Sequence, residues 1–306
     1  MNNKNNQANV VILMATYNGE KFLKEQIDSI LDQSFDDFLL VIRDDNSNDH
    51  TVEILENYND DRIIILRNRL KEHGQLSNFA YLFKYAISNL KFNYLMFADQ
   101  DDIWLRNKIG KSLQEFNFND NAPILVYTNY YVFNMKSGKC WKAFKGEIPA
   151  NFENIFVQNW LLGCTMMLNR AMVHKIKEIP QNVENHDYWI SLVASLHDEI
   201  FFSNTPTMIH RLHSGNVTVQ QSANSLSGRI NSVKKILMNK EEKYKSWIVI
   251  YSNLEKMFPH DNKINELKNI LFNNRLVRVW MANKYGFKGL SNKSTALFDI
   301  LLFLLN

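Results

Sequence analysis

Cysteine is scarce in this chain. The two present, Cys140 and Cys164, have no metal-ligand spacing and are too few for a disulfide framework, which fits a reducing compartment. No Gly-x-Gly-x-x-Gly and no Gly-x-x-x-x-Gly-Lys-Ser/Thr occurs, so dinucleotide-binding and P-loop readings lack their phosphate-cradling glycines. Met1 to Gln7 is polar and Asn-rich and has no apolar centre of the signal-peptide kind, so a cytoplasmic protein is expected. The final apolar run, Ala296 to Leu305, is broken only by Asp299 and falls short of the about 20 residues that a bilayer span needs. No stretch rich in Pro, Gly or Ser marks a linker, and a boundary is expected only loosely, dividing residues 1–220 from 221–306.

What is there is an ordinary globular composition, 45% hydrophobic and 22% charged over 306 residues, enough for one large domain and an appendage. The net charge of +3 conceals an asymmetry. Residues 222–306 hold 14 Lys and Arg against 6 Asp and Glu, while residues 1–221 hold 21 against 26. An acidic part suits metal coordination, and a basic part suits an anionic surface or simple solvation.

From Asn9 the pattern alternates between short apolar runs and helical spacing. Strands are expected at Asn9 to Ala15, Phe38 to Ile42, Arg62 to Leu66 and Asn93 to Ala98. The intervening stretches around Phe22 to Leu31, Thr51 to Tyr58 and Leu76 to Leu90 read as helices. Such alternation calls for a parallel sheet with helices on both faces. Residues 123–145 read as strands around a turn at Lys136 to Lys139, and the chain beyond 222 reads as basic and helical.

The densest chemistry is Asp99-Gln100-Asp101-Asp102-Ile103-Trp104, three carboxylates in four residues after the apolar run Tyr94 to Ala98. Ligands of open α/β sheets bind at the carboxyl ends of strands. Crowded carboxylates there repel unless a cation joins them, and Mg²⁺ or Mn²⁺ commonly bridges such oxygens to a diphosphate. The plain alternative is an acidic cap on a helix starting near Trp104. Strand 1 ends in Thr16-Tyr17-Asn18-Gly19 and strand 2 in Asp44-Asp45-Asn46-Ser47, so both open onto the same edge. Asp44 or Asp45 can accept the imide N–H of a pyrimidine and Asp99 a ribose hydroxyl, although a turn with a local cap also explains Asp44, Asp45 and Ser47.

In order along the chain, Ala15-Thr16-Tyr17-Asn18-Gly19, Asp44-Asp45-Asn46-Ser47 and Asp99 to Trp104 resemble the family-2 glycosyltransferases of GT-A fold, most of all their bacterial rhamnosyltransferase-type members. The resemblance covers about residues 8–218. It implies a mixed, mainly parallel α/β sheet flanked by helices, a nucleotide-sugar donor, a divalent metal and inversion at the anomeric carbon. It implies metal ligation by Asp101, with Asp99 shared between ribose and metal, and donor contacts from Thr16, Tyr17, Asn18, Asn78 and one of Asp44 and Asp45.

Asn185-His186-Asp187-Tyr188-Trp189 resembles the subgroup's His-Asp-Trp-Trp element and makes Asp187 the candidate general base, where a plain reading is a helix cap. Ile209 to Val217 resembles a Tyr-Arg-Gln-His-x-x-Asn element, with His210 and Leu212 in place of Tyr and Gln. On that resemblance His213 joins the metal site and Arg211 forks the diphosphate. Trp104, Gly163, Cys164, Thr165 and His186 are assigned to the acceptor and sugar pocket by the same analogy.

The expected partners are a dTDP- or UDP-sugar, a saccharide or lipid-linked acceptor, and for the basic C-terminal part an anionic membrane face, the chain's own core or a second copy, with no nucleic acid. The expected place is the cytoplasm, at most peripheral on the inner membrane face. A sugar-nucleotide-forming nucleotidyltransferase is the competing enzyme, but it calls for a Gly-rich basic loop where this chain has Thr16 to Gly19. A silent binding module is opposed by the joint presence of Asp101, Asp187 and His213.

Overall fold

A computed structural model describes residues 6–68, 72–116, 122–197, 199–216 and 238–305. The 220/221 boundary and Val217 lie outside the described residues. The first half alternates as its periodicity predicts: β1 (Val10–Thr16), α1 (Leu23–Leu31), β2 (Phe38–Asp44), α2 (Thr51–Glu56), β3 (Ile63–Arg67), α3 (Gln75–Asn89) and β4 (Tyr94–Ala98). Next come β5 (Ile103–Trp104), α4 (Lys108–Gln114), β6 (Leu125–Asn134), β7 (Lys139–Lys142), α5 (Phe152–Val157), a 3₁₀ turn at Gly163–Thr165, β8 (Met166–Asn169), α6 (Arg170–Ile176), α7 (His186–Ser195) and β9 (Ile200–Leu212). The C-terminal helices are α8 (Lys240–Met257), α9 (Asn262–Leu271), α10 (Arg275–Tyr285) and α11 (Asn292–Leu304).

The strands form one sheet in the order β3-β2-β1-β4-β8-β6-β9-β5, with β7 paired to β6. Strands β1 to β4 are mutually parallel, and β8 runs antiparallel to both β4 and β6. The unbroken apolar runs are explained by burial on both faces. Val11, Leu13, Val41 and Phe97 pack toward α3, while Ile12, Met14, Ile42 and Met96 pack toward α1. Register places Thr16 beside Asp44, so the two polar strand ends share one edge.

The chain after β4 departs from the expected capped helix. Ile103 and Trp104 form an edge strand on β9, antiparallel, and the next helix starts only at Lys108, after Asn107. β9 itself was not legible as a strand: it carries Pro206 and several polar residues, and its ladder with β6 is irregular around Asn129. That long strand returns the chain to the acid cluster.

The C-terminal helices share the main core. Trp247 lies against Phe156 and Phe298, and Phe156 against Phe287. The final apolar run divides by helical face: Phe298, Leu301, Leu302 and Leu305 are buried, whereas Ile300, Phe303 and Leu304 are exposed. No helix among the described residues is long and apolar enough to cross a membrane.

Candidate active site

The strand-end loops are stitched together by hydrogen bonds that only short polar side chains could make. The Asn18 N–H donates to Ser47 Oγ at 2.9 Å, and the Asn48 N–H returns to Asn18 Oδ1 at 3.0 Å. Asn18 and Asn46 have positive φ, which Asn tolerates better than most side chains. Gln100 clamps Tyr17 through both its amide atoms, at 2.9 and 3.0 Å. Asp44 accepts from Thr16 Oγ1 at 3.3 Å and from the Ser47 N–H at 3.0 Å. Asp45 accepts from Asn68 at 2.5 Å and from the Gly74 N–H at 2.7 Å. Both carboxylates are therefore oriented by fixed donors at the edge where a base would lie, and each makes the local turn bonds a plain reading calls for.

Among the sequence-assigned donor residues, Asn78 faces inward. It is buried, accepts from Arg43 Nη1 and donates to the Arg43 carbonyl at 3.3 Å, so it braces the end of β2. Arg211 is also engaged within the protein. Its guanidinium lies over the Phe22 ring at 4.6 Å and donates to the carbonyls of Asp101 and Asp102 and to the Glu25 carboxylate. It buckles the acid loop to α1, a planar-fork task that Lys could not copy.

The three acids have separate environments. Asp101 accepts from Asn216 at 3.2 Å and meets His213 Nε2 at 2.9 Å, with both side chains of that pair partly open to solvent. Asp102 is fully buried, holding His210 Nδ1 at 2.8 Å while its Oδ2 has no partner. Asp99 accepts the Cys164 thiol, and burial together with the charges of Asp102 and Asp101 pushes its carboxyl well above the usual range. Burial, then Asp102, raises Asp101 as well. Mutual repulsion of this kind is relieved by a cation. Asp99, Asp102, Cys164 and His210 bring ligand atoms within 4.8 Å of one another, and Asp101 with His213 forms a more open pair beside them. The structure thus splits the expected metal set: Asp99 groups with Asp102, His210 and Cys164, and the Asp101–His213 pair, with the oxygen and imidazole ligands that a divalent ion favours, stands apart from that group. Burial and neighbouring Asp99 hold the Cys164 thiol protonated, which suits neither a hard ion nor nucleophilic chemistry.

Asp187 sits in the first turn of α7, after the N-cap position at Asn185. Burial pushes its carboxyl up to about 6, against the N–H groups of Tyr188 and Gly163, which hold it down. The 3₁₀ turn thus touches both sides of the crevice: the Gly163 N–H holds Asp187 and the neighbouring Cys164 thiol holds Asp99. His186 is stacked on Phe79 at 4.0 Å between ring centroids and lies 5.3 Å from Phe97. Burial pushes its imidazole down to about 3, so it packs as a neutral ring against Phe79. Thr165 closes its own turn by donating to the Leu162 carbonyl at 2.7 Å, and Trp104 is buried.

Sequence reasoning missed Glu25, gave no role to Asn216, the Asn of its Tyr-Arg-Gln-His-x-x-Asn match, and missed the Asp102–His210 pair. A signal was available for the last: a third carboxylate beside a metal-type pair needs a partner if buried, and His210 stands where the motif has Tyr.

Gly163 yields a direct test. A Cβ there would stand 2.4 Å from Nε2 of His186, whose ring is wedged by Phe79 and cannot yield. Gly163→Ala is expected to destabilise the fold by about 1–3 kcal/mol, as overpacking does. It should also lower turnover, because the same turn aims Asp187; thermal unfolding and initial rates measure the two effects.

Residues 11–178 match the family model described as Glycosyl transferase family 2. The dTDP-rhamnosyl transferase RfbG of Shigella flexneri is 30% identical over 214 residues, covering 66% of this chain and 72% of that one. The UDP-Glc:alpha-D-GlcNAc-diphosphoundecaprenol beta-1,3-glucosyltransferase WfgD of Escherichia coli is 29% identical over 188 residues, covering 60% and 69%. In fold, the chain is similar to S. aureus TarS residues 1–349 solved with UDP-GlcNAc, with a TM-score of 0.59, 16% identity and coverage of 87% and 72%. The chain belongs to glycosyl transferase family 2, has the GT-A architecture and is a glycosyltransferase.

Proposed function

We propose that this family-2 glycosyltransferase moves a hexose, rhamnose being the first candidate, from a nucleoside diphosphate sugar to a hydroxyl of a saccharide or lipid-linked acceptor, with inversion and with a divalent metal. The observation that carries this reading is the turn Gly163–Thr165, where Cys164 brings its sulfur within 4.8 Å of the strand-end Asp99 and Gly163 lies against His186, the residue before Asp187. A donor-side acid and a candidate base fixed to one turn are what a single in-line displacement between donor and acceptor requires.

In this reading Asp44, Asp45 and Thr16 meet the base, Tyr17 and Asn18 shape the floor of the nucleotide site, and Asp99 meets the ribose. Asp101, Asp99 and His213 would hold Mn²⁺ or Mg²⁺, which when bound neutralises charge on the departing diphosphate. Asp187 accepts the proton of the attacking hydroxyl as the bond to the anomeric carbon forms and the bond to the diphosphate breaks. Arg211, through its hold on the Asp101 and Asp102 carbonyls, keeps the acid loop in register. His186 and Gly163 support the acceptor side. Rhamnose leads because the RfbG relative is named for a dTDP-rhamnosyl donor, while WfgD is named for UDP-Glc.

The test is a screen of dTDP-rhamnose, UDP-glucose, UDP-GlcNAc and GDP-mannose for nucleoside diphosphate release, with and without Mn²⁺, on saccharide and polyprenyl-diphosphate-linked acceptors. Metal-dependent release from dTDP-rhamnose is expected. Release only from another donor replaces the sugar, and full activity in excess chelator removes the metal.

A further inference from the structure

We propose that the outer face of α10 and α11 docks on an anionic lipid surface. Helix α10 presents Leu276 and Trp280 one turn apart, at 73% and 57% exposure, and α11 presents Ile300 and Phe303 at 47% and 45%. Leu276 and Phe303 meet across one open hollow of about 650 Å³ that Asn273, Asn274, Arg275 and Arg278 also line, so the apolar groups of the two helices adjoin with basic and amide groups between them. Large aromatic and aliphatic side chains grouped this way on a protein surface mark an interaction site, unlike scattered exposed ones.

Charge selects the occupant. Arg275, Lys284 and Lys293 are exposed along the same two helices, and the Lys284 ammonium lies 5.0 Å from the centre of the Trp280 ring. Two carboxylates stand by these cations: Asp299, hydrogen-bonded to Asn283 at 3.4 Å, and Glu266, close enough to Lys284 for the two charges to interact, so the cations along the two helices outnumber them. A ridge with Trp, Phe and Leu, rimmed by cations, has the chemistry of a helix pair lying in a headgroup layer. A second copy meeting this face by twofold symmetry would set those cations against one another, which disfavours that occupant.

The face is rigidly connected to the proposed acceptor side. Behind Ile300 and Phe303, the buried Phe298 packs on Phe156, whose carbonyl accepts from Tyr188 Oη at 2.7 Å, next to Asp187. Docking would therefore orient the crevice relative to the lipid surface, whichever sugar the donor carries.

The experiment is flotation of the full chain with vesicles of phosphatidylcholine alone and with an equal share of phosphatidylglycerol, at low salt and at about 0.5 M, where the Debye length is about 4 Å. Binding to the mixed vesicles at low salt is expected, weak on neutral vesicles and largely lost at high salt. Lys284→Glu with Lys293→Glu should weaken it roughly tenfold or more, since each cation near such a surface adds to the attraction. Trp280→Ser with Phe303→Ser should weaken it on the same vesicles while both double variants keep wild-type nucleoside diphosphate binding. The proposal is overturned if the intact chain ignores the mixed vesicles at low salt, or if both double variants float as the parent does. A concentration-dependent dimer that the variants dissolve, with no vesicle binding, assigns the face to a second copy instead.

Discussion

Asp187→Asn is expected to lower turnover by about 10² to 10⁴ while leaving donor affinity within a small factor of the parent, because it removes a proton acceptor and keeps its shape. The expectation rests on the position of the carboxylate: it is held by N–H groups of Tyr188 and Gly163, in a burial that raises it to about 6. The pH dependence follows. The working form is the carboxylate, so at saturating metal the parent rate should fall about tenfold for each pH unit below about 6 and level off above it. The Asn variant has no such group and should lose that acid limb. Single-turnover rates across pH, beside titration of the nucleoside diphosphate, measure both statements. Equal losses in donor binding and rate would make Asp187 a structural member of α7, and an unchanged acid limb would move the base elsewhere.

Much of this was legible in the sequence, and the reasons differ by region. The strands β1, β2 and β4 are covered on both faces, so they read as unbroken apolar runs, and the motifs at their ends had to share an edge. β9 was illegible because it mixes buried and exposed stretches around Pro206 and a ladder irregularity, and the Ile103–Trp104 edge strand depends wholly on it. The motif placed His213 beside the acids, and the structure puts it on Asp101. For Arg211 and Asn78 the motif resemblance suggested a ligand contact, and the structure shows each in an internal task as well. A sequence shows which donors exist but not which acceptors saturate them first. The Ala296 to Leu305 run shows the same limit: apolar content alone could not tell the buried Phe298, Leu301 and Leu302 from the exposed Ile300 and Phe303, a distinction set by helical phase against α5 and α8.

Asp101→Asn is expected to act through donor binding as well as rate, which separates it from the change at Asp187. The parent carboxylate faces His213 and Asn216, and burial, then the charge of Asp102, raises its pKa, an arrangement that a bound cation would relieve. Changes to groups that merely support metal ligands cost about 10- to 100-fold in affinity or activity, so loss of a direct ligand should exceed the upper end of that range. Nucleoside diphosphate affinity measured with Mn²⁺ should fall strongly in the variant. With chelator present, parent and variant should bind alike, because the part of the affinity carried by the ion is then missing from both. Should the variant retain parental affinity in Mn²⁺, the ion is held elsewhere, and the inner group of Asp99, Asp102, His210 and Cys164 becomes the place to look.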